Sequence, residues 1–510
     1  MYVSEGVRNR PLRSARLIHT VSGIRWLEDR HRDVSPGLME RAGAAAADRA
    51  LHLARANGRV LVACGPGNNG GDGFVVSRLL LQRGVQVQTL FTGDESRLPA
   101  DAAEALHALR AAGGETSVDF GADSAASLSL IVDGLFGIGL QRPLEGRHAE
   151  LIERLNAIDA PKLALDIPSG LDAGTGRILG CAFRATETIT FIGLKPGLLT
   201  LDGPDCCGDI GVADLGIAGT ESPGCGQVLS PAMFAAELRP RLANTHKGSF
   251  GDAVIIGGAR GMIGAALLAG RAAMHVGAGR VFVGLIDATV PAIDPVQPEL
   301  MVRSAASLAQ APAALAVGPG LGRSTEAMTA LRQAMQGRSP LVLDADALNL
   351  IAEDAALAEL LRSREAPAVM TPHPAEAARL LGIGTDEVQA DRVAAALALA
   401  ERYRCPALVK GAGSVVALDD GQWTINTSGH AGMASAGMGD ALSGIVTGLI
   451  AQGWAPARAL PAAVHLHGAA ADLLATEGDG PIGLTASETI IAARRVFNSW
   501  IATSGARLPQ

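Results

Sequence analysis

Nine residues, Gly65-Pro66-Gly67-Asn68-Asn69-Gly70-Gly71-Asp72-Gly73, separate the apolar run Arg59-Val60-Leu61-Val62-Ala63-Cys64 from Phe74-Val75-Val76-Ser77-Arg78-Leu79-Leu80-Leu81. Few folds accommodate that order, which reads as strand, glycine loop, helix. The five glycines leave backbone N–H groups unshielded at a helix N-terminus, where partial positive charge and free donors favour an anion such as a diphosphate. The spacing is neither the dinucleotide G-x-G-x-x-G with a following acidic ribose ligand nor the phosphate loop G-x-x-x-x-G-K-[ST]. Asn68, Asn69 and Asp72 exceed what a simple turn needs, although Gly, Asn and Asp are also the commonest turn residues.

The strand-then-helix order recurs along the first half. Strands are expected over 60–64, 85–91, 130–133, 163–167 and 188–191, alternating with amphipathic helices, which predicts a mostly parallel sheet with helices on both faces. Ligands of such sheets bind beyond the carboxyl ends of the strands. The pattern breaks over 216–239 into glycines, a proline and a short polar helix, so a domain boundary is expected there: a first domain over 1–220, a linker over 221–230 and a second domain over 231–510. A second α/β pattern follows, with strands expected over 253–256, 280–285, 314–317, 341–344, 368–371, 407–409 and 414–417.

At about 150 residues per domain, 510 residues allow two to four domains, and 48% hydrophobic content supplies their cores. Only 3% aromatic residues beside 63 glycines suggests helices lying close on sheets, which favours α/β. A net charge of -8 offers no basic footprint for nucleic acid or an anionic membrane, so anionic substrates must be held by local donors. The six cysteines form no C-x-x-C pair, and vicinal Cys206-Cys207 fits no zinc spacing. Reduced thiols and a cytoplasmic setting are expected. Arg8, Arg10, Arg13 and Arg16, with Glu5 the only acid among them, resemble a transit peptide without the apolar core of a secretion signal; a loose extension is the plainer reading. No apolar run reaches about 18 residues without glycine or charge, so no membrane span is expected. Small-molecule substrates and a homo-oligomer are expected.

Four ordered segments of the first half resemble the NAD(P)HX epimerase domain. The glycine string is the first. Ile131-Val132-Asp133-Gly134-Leu135-Phe136-Gly137-Ile138-Gly139-Leu140, Leu165-Asp166-Ile167-Pro168-Ser169-Gly170-Leu171-Asp172 and Thr190-Phe191-Ile192-Gly193-Leu194-Lys195-Pro196-Gly197 are the others, with Leu38-Met39-Glu40-Arg41-Ala42-Gly43 on an N-terminal helix. The resemblance implies that Asn68, Asn69, Gly70, Gly71 and Asp72 contact the hydrated cofactor. It also implies that Gly137, Ile138, Gly139, Leu140, Gln141, Arg142, Pro143 and Asp166 line it, and that Asn69, Asp133 and Ser169 help ligate a potassium ion. A hard monovalent cation wants oxygen ligands, which these side chains provide. Asp166, at a strand's carboxyl end before Pro168, stands where a general acid/base belongs; a loop cap is the alternative reading.

In the second half Gly437-Met438-Gly439-Asp440-Ala441-Leu442-Ser443-Gly444 is again a glycine turn opening a helix. Successive N–H groups there can hold charge on a transferring phosphoryl group, and Asp440 can deprotonate the accepting hydroxyl, although a helix cap would also explain an aspartate. With Gly318-Pro319-Gly320-Leu321-Gly322, Leu343-Asp344-Ala345-Asp346-Ala347-Leu348-Asn349, Thr371-Pro372-His373-Pro374 and Lys410-Gly411-Ala412-Gly413-Ser414, it resembles the ribokinase-like dehydratase of NAD(P)H hydrates. Thr245-His246-Lys247-Gly248-Ser249-Phe250-Gly251 and Gly257-Gly258-Ala259 agree. Two departures lie beside the site: His430-Ala431 stands where the family commonly has Asn-Pro, and Ala375 stands where Gly is usual. Affinity rather than activity is where they should tell.

The expected fold class is therefore α/β in two domains, an N-terminal Rossmann-like three-layer sandwich and a C-terminal ribokinase-like domain. The resemblance spans about 20–500, in the order of the fused bacterial enzyme. It implies NADHX and NADPHX as substrates, epimerisation at C6 in the first domain, and phosphorylation of the C6 hydroxyl followed by elimination in the second. The phosphoryl donor implied is ADP in bacterial members and ATP in eukaryotic ones, with Mg²⁺. Lys410, Gly411, Ala412, Gly413, Ser414 and Gly439 would surround the nucleotide, and Ala265, Gly320, His373 and Asp440 would face the hydrated cofactor. His373 between two prolines also reads as an ordinary loop histidine, and His465 and His467, two apart on one helix, make a poor metal pair. Two other functions fit parts of the pattern: a ribokinase-like small-molecule kinase fused to a nucleotide-binding module, and a non-catalytic binding module in the first half.

Overall fold

The computed structural model describes residues 17–55, 58–121, 128–217, 219–287, 289 and 293–504. The arginine-rich stretch with Arg8, Arg10, Arg13 and Arg16 lies outside the described residues. The chain divides into two compact units, Met1–Gln227 and Val228–Gln510.

The first unit is built on seven parallel strands: β1 (Arg59–Cys64), β2 (Val87–Phe91), β3 (Thr116–Ser117), β4 (Leu128–Gly134), β5 (Lys162–Leu165), β6 (Glu187–Phe191) and β7 (Asp209–Ala213). Their order across the sheet is β3-β2-β1-β4-β5-β6-β7. Every residue of β4 is buried, as expected of a central parallel strand covered on both faces. Alternation along β1 separates the two cores. Val60, Val62 and Cys64 join Ala46, Ala47 and Phe74 on one face, while Leu61 and Ala63 join Leu151, Ile152 and Leu155 on the other. Each large apolar side chain buried this way contributes about 1.5–3 kcal/mol. The result is a three-layer sandwich. Leu17–Ile18 also pairs antiparallel with Gly226 and Gln227, inside the stretch expected as a linker.

The helix after β1 begins earlier than its sequence suggests. It runs Asn68–Gln82, so Asn68 to Gly71 form its first turn, Asp72 follows, and the loop shrinks to Gly65-Pro66-Gly67. Close contact explains most of the glycines: a Cβ on Gly65 would lie 1.7 Å from the Leu135 carbonyl oxygen, and one on Gly70 2.0 Å from that of Gly65. Gly73 similarly gives room to Cys64 Sγ. Only Gly67, the N-cap, faces open space.

The second unit carries β8 (Asp252–Gly257), β9 (Arg280–Leu285), β10 (Met301–Ser304), β11 (Ala314–Val317), β12 (Leu341–Leu343), β13 (Ala368–Met370), β14 (Ala407–Val409), β15 (Val415–Ala417) and β16 (Trp423–Ile425). They run β16-β15-β14-β13-β12-β11-β8-β9-β10, parallel except for the antiparallel β14-β15-β16 edge. Small residues set the depth of the helices. The helix Met438–Ala451 lies directly on Ile263–His275, with a Cβ on Gly444 landing 2.1 Å from Ala269 O and one on Gly448 2.7 Å from Ala273 O. That contact fixes the helix carrying Asp440.

Two candidate active sites

Strand order in the first sheet reverses between β1 and β4, and a crevice at the carboxyl ends of the strands is expected at such a switch. A cleft of about 1180 Å³ opens there. Among the expected residues it is lined by Asn68, Asn69, Asp72, the run Gly137 to Arg142, and Asp166. Gly70, Gly71 and Pro143 do not line it; Gly71 instead admits the Met39 side chain, 2.6 Å from where its Cβ would stand.

Asp166 directly follows β5 at φ 62°, and Ile192 directly follows β6 at φ 68°. Two non-glycine residues in the left-handed region, each costing about 1–3 kcal/mol and both lining the cleft, mark a strained functional wall. Asp166 is not a local cap. Its Oδ1 accepts Lys195 Nζ, the Thr190 hydroxyl at 3.2 Å and the Phe191 N–H at 3.2 Å. Lys195 is fully buried and also donates to Thr190 Oγ1 and Phe191 O, both at 2.8 Å. This lysine was not singled out from sequence. Its signal was a lone charge in an apolar motif, and only sheet order brings it to Asp166. Glu28, from the helix Val21–Arg30, also faces the cleft, and burial followed by Asp166 raises its pKa. Asp72 is held well above the usual carboxylate range by burial, then Asp166 and Glu28, with Lys195 opposing.

Behind the cleft wall, Asp133 accepts Ser169 Oγ at 2.7 Å, Ser169 N at 2.8 Å and Leu135 N at 3.1 Å. Burial pushes its pKa up to about 6 despite those donors. The Asn69 side chain lies against Gly137, with Nδ2 buried and unpaired.

In the second sheet, order reverses between β8 and β11. Gly258 and Ala259 after β8 donate to Pro319 O and Gly320 O after β11, at 3.1 and 2.7 Å. Gly320 sits at φ 56°, and a Cβ there would lie 3.2 Å from that of Ala265. Asp440 is the third residue of its helix, whose N-cap is Gly437, so it is not the cap. Asp344 follows β12, is 2% exposed, and accepts Lys410 Nζ at 2.9 Å and Ser443 Oγ at 2.6 Å. The absent Cβ of Gly439 would stand 3.4 Å from Lys410 Nζ, which joins two of the expected nucleotide segments. Burial and Asp344 raise Asp440 to about 6 against the pull of Lys410. Burial opposes the charge of Lys410, but Asp344, Glu376 and Asp440 outweigh it and hold its pKa above the ordinary lysine value.

The turn 410–414 is compact: the Gly411 N–H donates to Ser414 Oγ at 3.1 Å, that hydroxyl donates to Gly411 O at 2.9 Å, and Arg392 donates to Ala412 O. Gly413, at φ 65°, completes it. His373 caps the helix Pro374–Leu381 through Nδ1, which accepts the N–H groups of Ala375 and Glu376, while Nε2 meets Glu376 at 3.1 Å. Its ring thus carries a structural duty. His430, at one departure from the family pattern, does a similar job: Nδ1 accepts Gly432 N–H at 3.1 Å and Nε2 reaches Ala471 O at 3.0 Å. Ala375, the other departure, simply lies in the first turn of a helix.

His465 stacks on Trp500 and bonds Asn426, whereas His467 is 5% exposed with Nε2 unpaired. Burial, then Lys410, lowers the His467 pKa to about 4, below its ordinary 6.5. Its contribution to stability is complete above pH 6.5 and is lost as pH falls through about 4, about 3 kcal/mol in all. Urea midpoints measured from pH 7 to 4 should fall less steeply for His467→Gln; parallel curves would refute this.

The family model described as NAD(P)H-hydrate dehydratase matches residues 253–491, and that described as YjeF-related protein N-terminus matches 35–197. The bifunctional NAD(P)H-hydrate repair enzyme Nnr of Escherichia coli (strain K12) is 41% identical over 448 residues, covering 86% of this chain and 85% of that one. The enzyme of the same name from Coxiella burnetii is 36% identical over 508 residues, covering 96% and 99%. Among solved structures, the ADP/ATP-dependent NAD(P)H-hydrate dehydratase of Bacillus subtilis, co-crystallised with ATP/Mg²⁺, is 32% identical with a TM-score of 0.48, covering 53% of this chain and 97% of that one. The two α/β units, Rossmann-like then ribokinase-like, stand in the order of the two family models, and this chain belongs to the family of bifunctional NAD(P)H-hydrate repair enzymes.

Proposed function

We propose that the first unit interconverts the R and S epimers of NADHX and NADPHX, and that the second dehydrates the S epimer at the expense of ADP, releasing AMP and phosphate. The observation that carries this reading is the presence in one chain of two sites, each at a switch point and each with its own aspartate–lysine ion pair. Hydration of a dihydronicotinamide leaves a hydroxyl at C6 in two configurations, and a stereospecific dehydratase serves only one. An epimerase in the same chain makes the repair complete.

In the first site Asp166 moves the proton when C6 inverts, with Lys195 holding its carboxylate in place. In the second, Asp440 is mostly ionised at pH 7 and takes the proton of the C6 hydroxyl as its oxygen attacks the terminal phosphoryl group of ADP. The P–O bond to AMP breaks. Phosphate then leaves C6 as a C5 proton is lost, restoring the dihydropyridine. Lys410 stays charged, suited to the phosphates, and Gly439 leaves room beside it. Mg²⁺ would be held chiefly by the nucleotide phosphates, as is usual for this ion.

The region round Asp133 fits a potassium ion. Its buried carboxylate is hydrogen-bonded only by uncharged donors, the Ser169 hydroxyl and Phe136 carbonyl are further hard oxygens beside it, and the Asn69 side-chain oxygen lies against Gly137 on the same loop. One carboxylate among neutral oxygens suits a monovalent cation. Bound there, the ion would neutralise the buried charge and fix the 135–137 loop against the cleft. Replacing potassium by sodium should lower the epimerisation rate of the full chain and leave dehydration of the S epimer unchanged; equal epimerisation in both salts would remove potassium from the reading. With purified S epimer, ADP should support dehydration faster than ATP, and the reverse order would reassign the donor. All six cysteines are unpaired, as reduced thiols in a cytosolic setting would be; no helix among the described residues is long and apolar enough to cross a membrane.

A further inference from the structure

Asp72 follows the first turn of the helix Asn68–Gln82 and lines the cleft, yet it is only 9% exposed. Asp166 lines the same cleft from the end of β5. The two carboxyl groups reach one space from different elements and differ in their company. Asp166 receives three donors, from Lys195, Thr190 and Phe191. Asp72 shares the cleft with two further acids, Asp166 and Glu28, whose charges both bear on it. Arg78, the cation on its own helix, is occupied by Glu40 at 2.5 Å, and Asp101 and Glu104 on the helix Ala100–Ala111 add acid rather than base.

From this asymmetry we propose that Asp72 is the second catalytic residue of the epimerase, the proton donor that works opposite Asp166 as base. The inference rests on the epimerase reading of the first unit. Inverting a carbinolamine carbon requires one group to take a proton and another to give one. Asp166 removes the C6 hydroxyl proton, and the oxygen pair becomes the C6=O double bond. The C6–N1 bond breaks, and its electron pair goes to N1, which takes the Asp72 proton. Rotation about C5–C6 presents the other carbonyl face. N1 then re-adds to C6, returns its proton to Asp72, and the oxygen recovers the proton held by Asp166. No water, oxidant or other reactant enters, and both side chains end as they began. Lys195 is bonded to Asp166, and its charge also bears on Asp72, which limits the cost of the interval in which Asp72 is the ionised one. Burial and the neighbouring acids hold the Asp72 pKa up, the direction a proton donor needs.

The test uses the full chain with mixed R and S epimers, saturating ADP and potassium, after subtraction of spontaneous epimerisation. The fast phase reports dehydration of S, and the slow phase reports epimerisation of R. Asp72→Asn keeps the shape of a neutral carboxyl. It should slow the R phase by about 10²–10⁴-fold in kcat with KM little changed, and leave the S phase intact. The unaltered chain should show a fall in epimerisation at high pH that the variant lacks. Asp72→Glu, which restores a carboxyl, should recover part of the rate. Raised KM with unchanged kcat, or a variant that keeps the high-pH fall, would reduce Asp72 to a binding residue. No R phase in the unaltered chain would instead overturn the epimerase reading itself.

Discussion

Asp440→Asn should slow nucleotide-driven dehydration by about 10²–10⁴-fold and leave epimerisation at the rate of the unaltered chain. The amide keeps the size of the carboxyl and cannot accept the C6 hydroxyl proton. The site should otherwise stay assembled, because Asp344 binds Lys410 and Ser443 without help from Asp440. Removing one acid beside Asp344 and Lys410 should leave nucleotide affinity near its original value, so the loss belongs in kcat rather than KM. Measured with purified S epimer and ADP, a raised KM at unchanged kcat would make Asp440 a binding group. Loss of both activities would undermine the two-site arrangement.

Lys195→Met carries the largest expected cost to stability. Lys195 is fully buried and bonded to Asp166, and deleting one partner of such a pair typically costs about 3–5 kcal/mol because the other charge is left uncompensated. Three acids, Asp72, Asp166 and Glu28, would then share the cleft without their buried cation. The urea midpoint of the first unit should fall and epimerisation should be lost, while dehydration of the S epimer persists in the second. Adding Asp166→Asn should restore part of the stability and none of the epimerisation, since the unpaired charge goes with it. A single variant as stable as the unaltered chain would mean the pair contributes nothing to the fold.

Most of the central strands were legible because parallel strands covered on both faces read as continuous apolar runs: Arg280–Leu285, Ala314–Val317 and Ala407–Val409 match their expected bounds, and others differ by a few residues. Strands with mixed polarity, such as Asp209–Ala213 and Met301–Ser304, gave no such signal. The early start of the helix Asn68–Gln82 was hidden for a different reason. Three glycines within six residues oppose helix formation locally, and only tertiary contacts with Gly65, Met39 and Cys64 explain them. Asp166 and Asp440 stood out by position at the ends of strands and loops. The ion pairs did not: Lys195 and Asp166 are 29 residues apart, Lys410 and Asp344 are 66 apart, and only sheet order joins them. His373, expected at the hydrated cofactor, also serves its own helix through both ring nitrogens, a duty that only the helix start reveals.

The most direct measurement is recovery of dihydronicotinamide absorbance from a mixture of R and S NADHX, with ADP and potassium present, at times short against spontaneous epimerisation. Two working sites in one chain should return all of the absorbance. Recovery of the S portion alone would contradict an active epimerase in the first unit, and no recovery with ADP or ATP would contradict a dehydratase in the second and favour a small-molecule kinase.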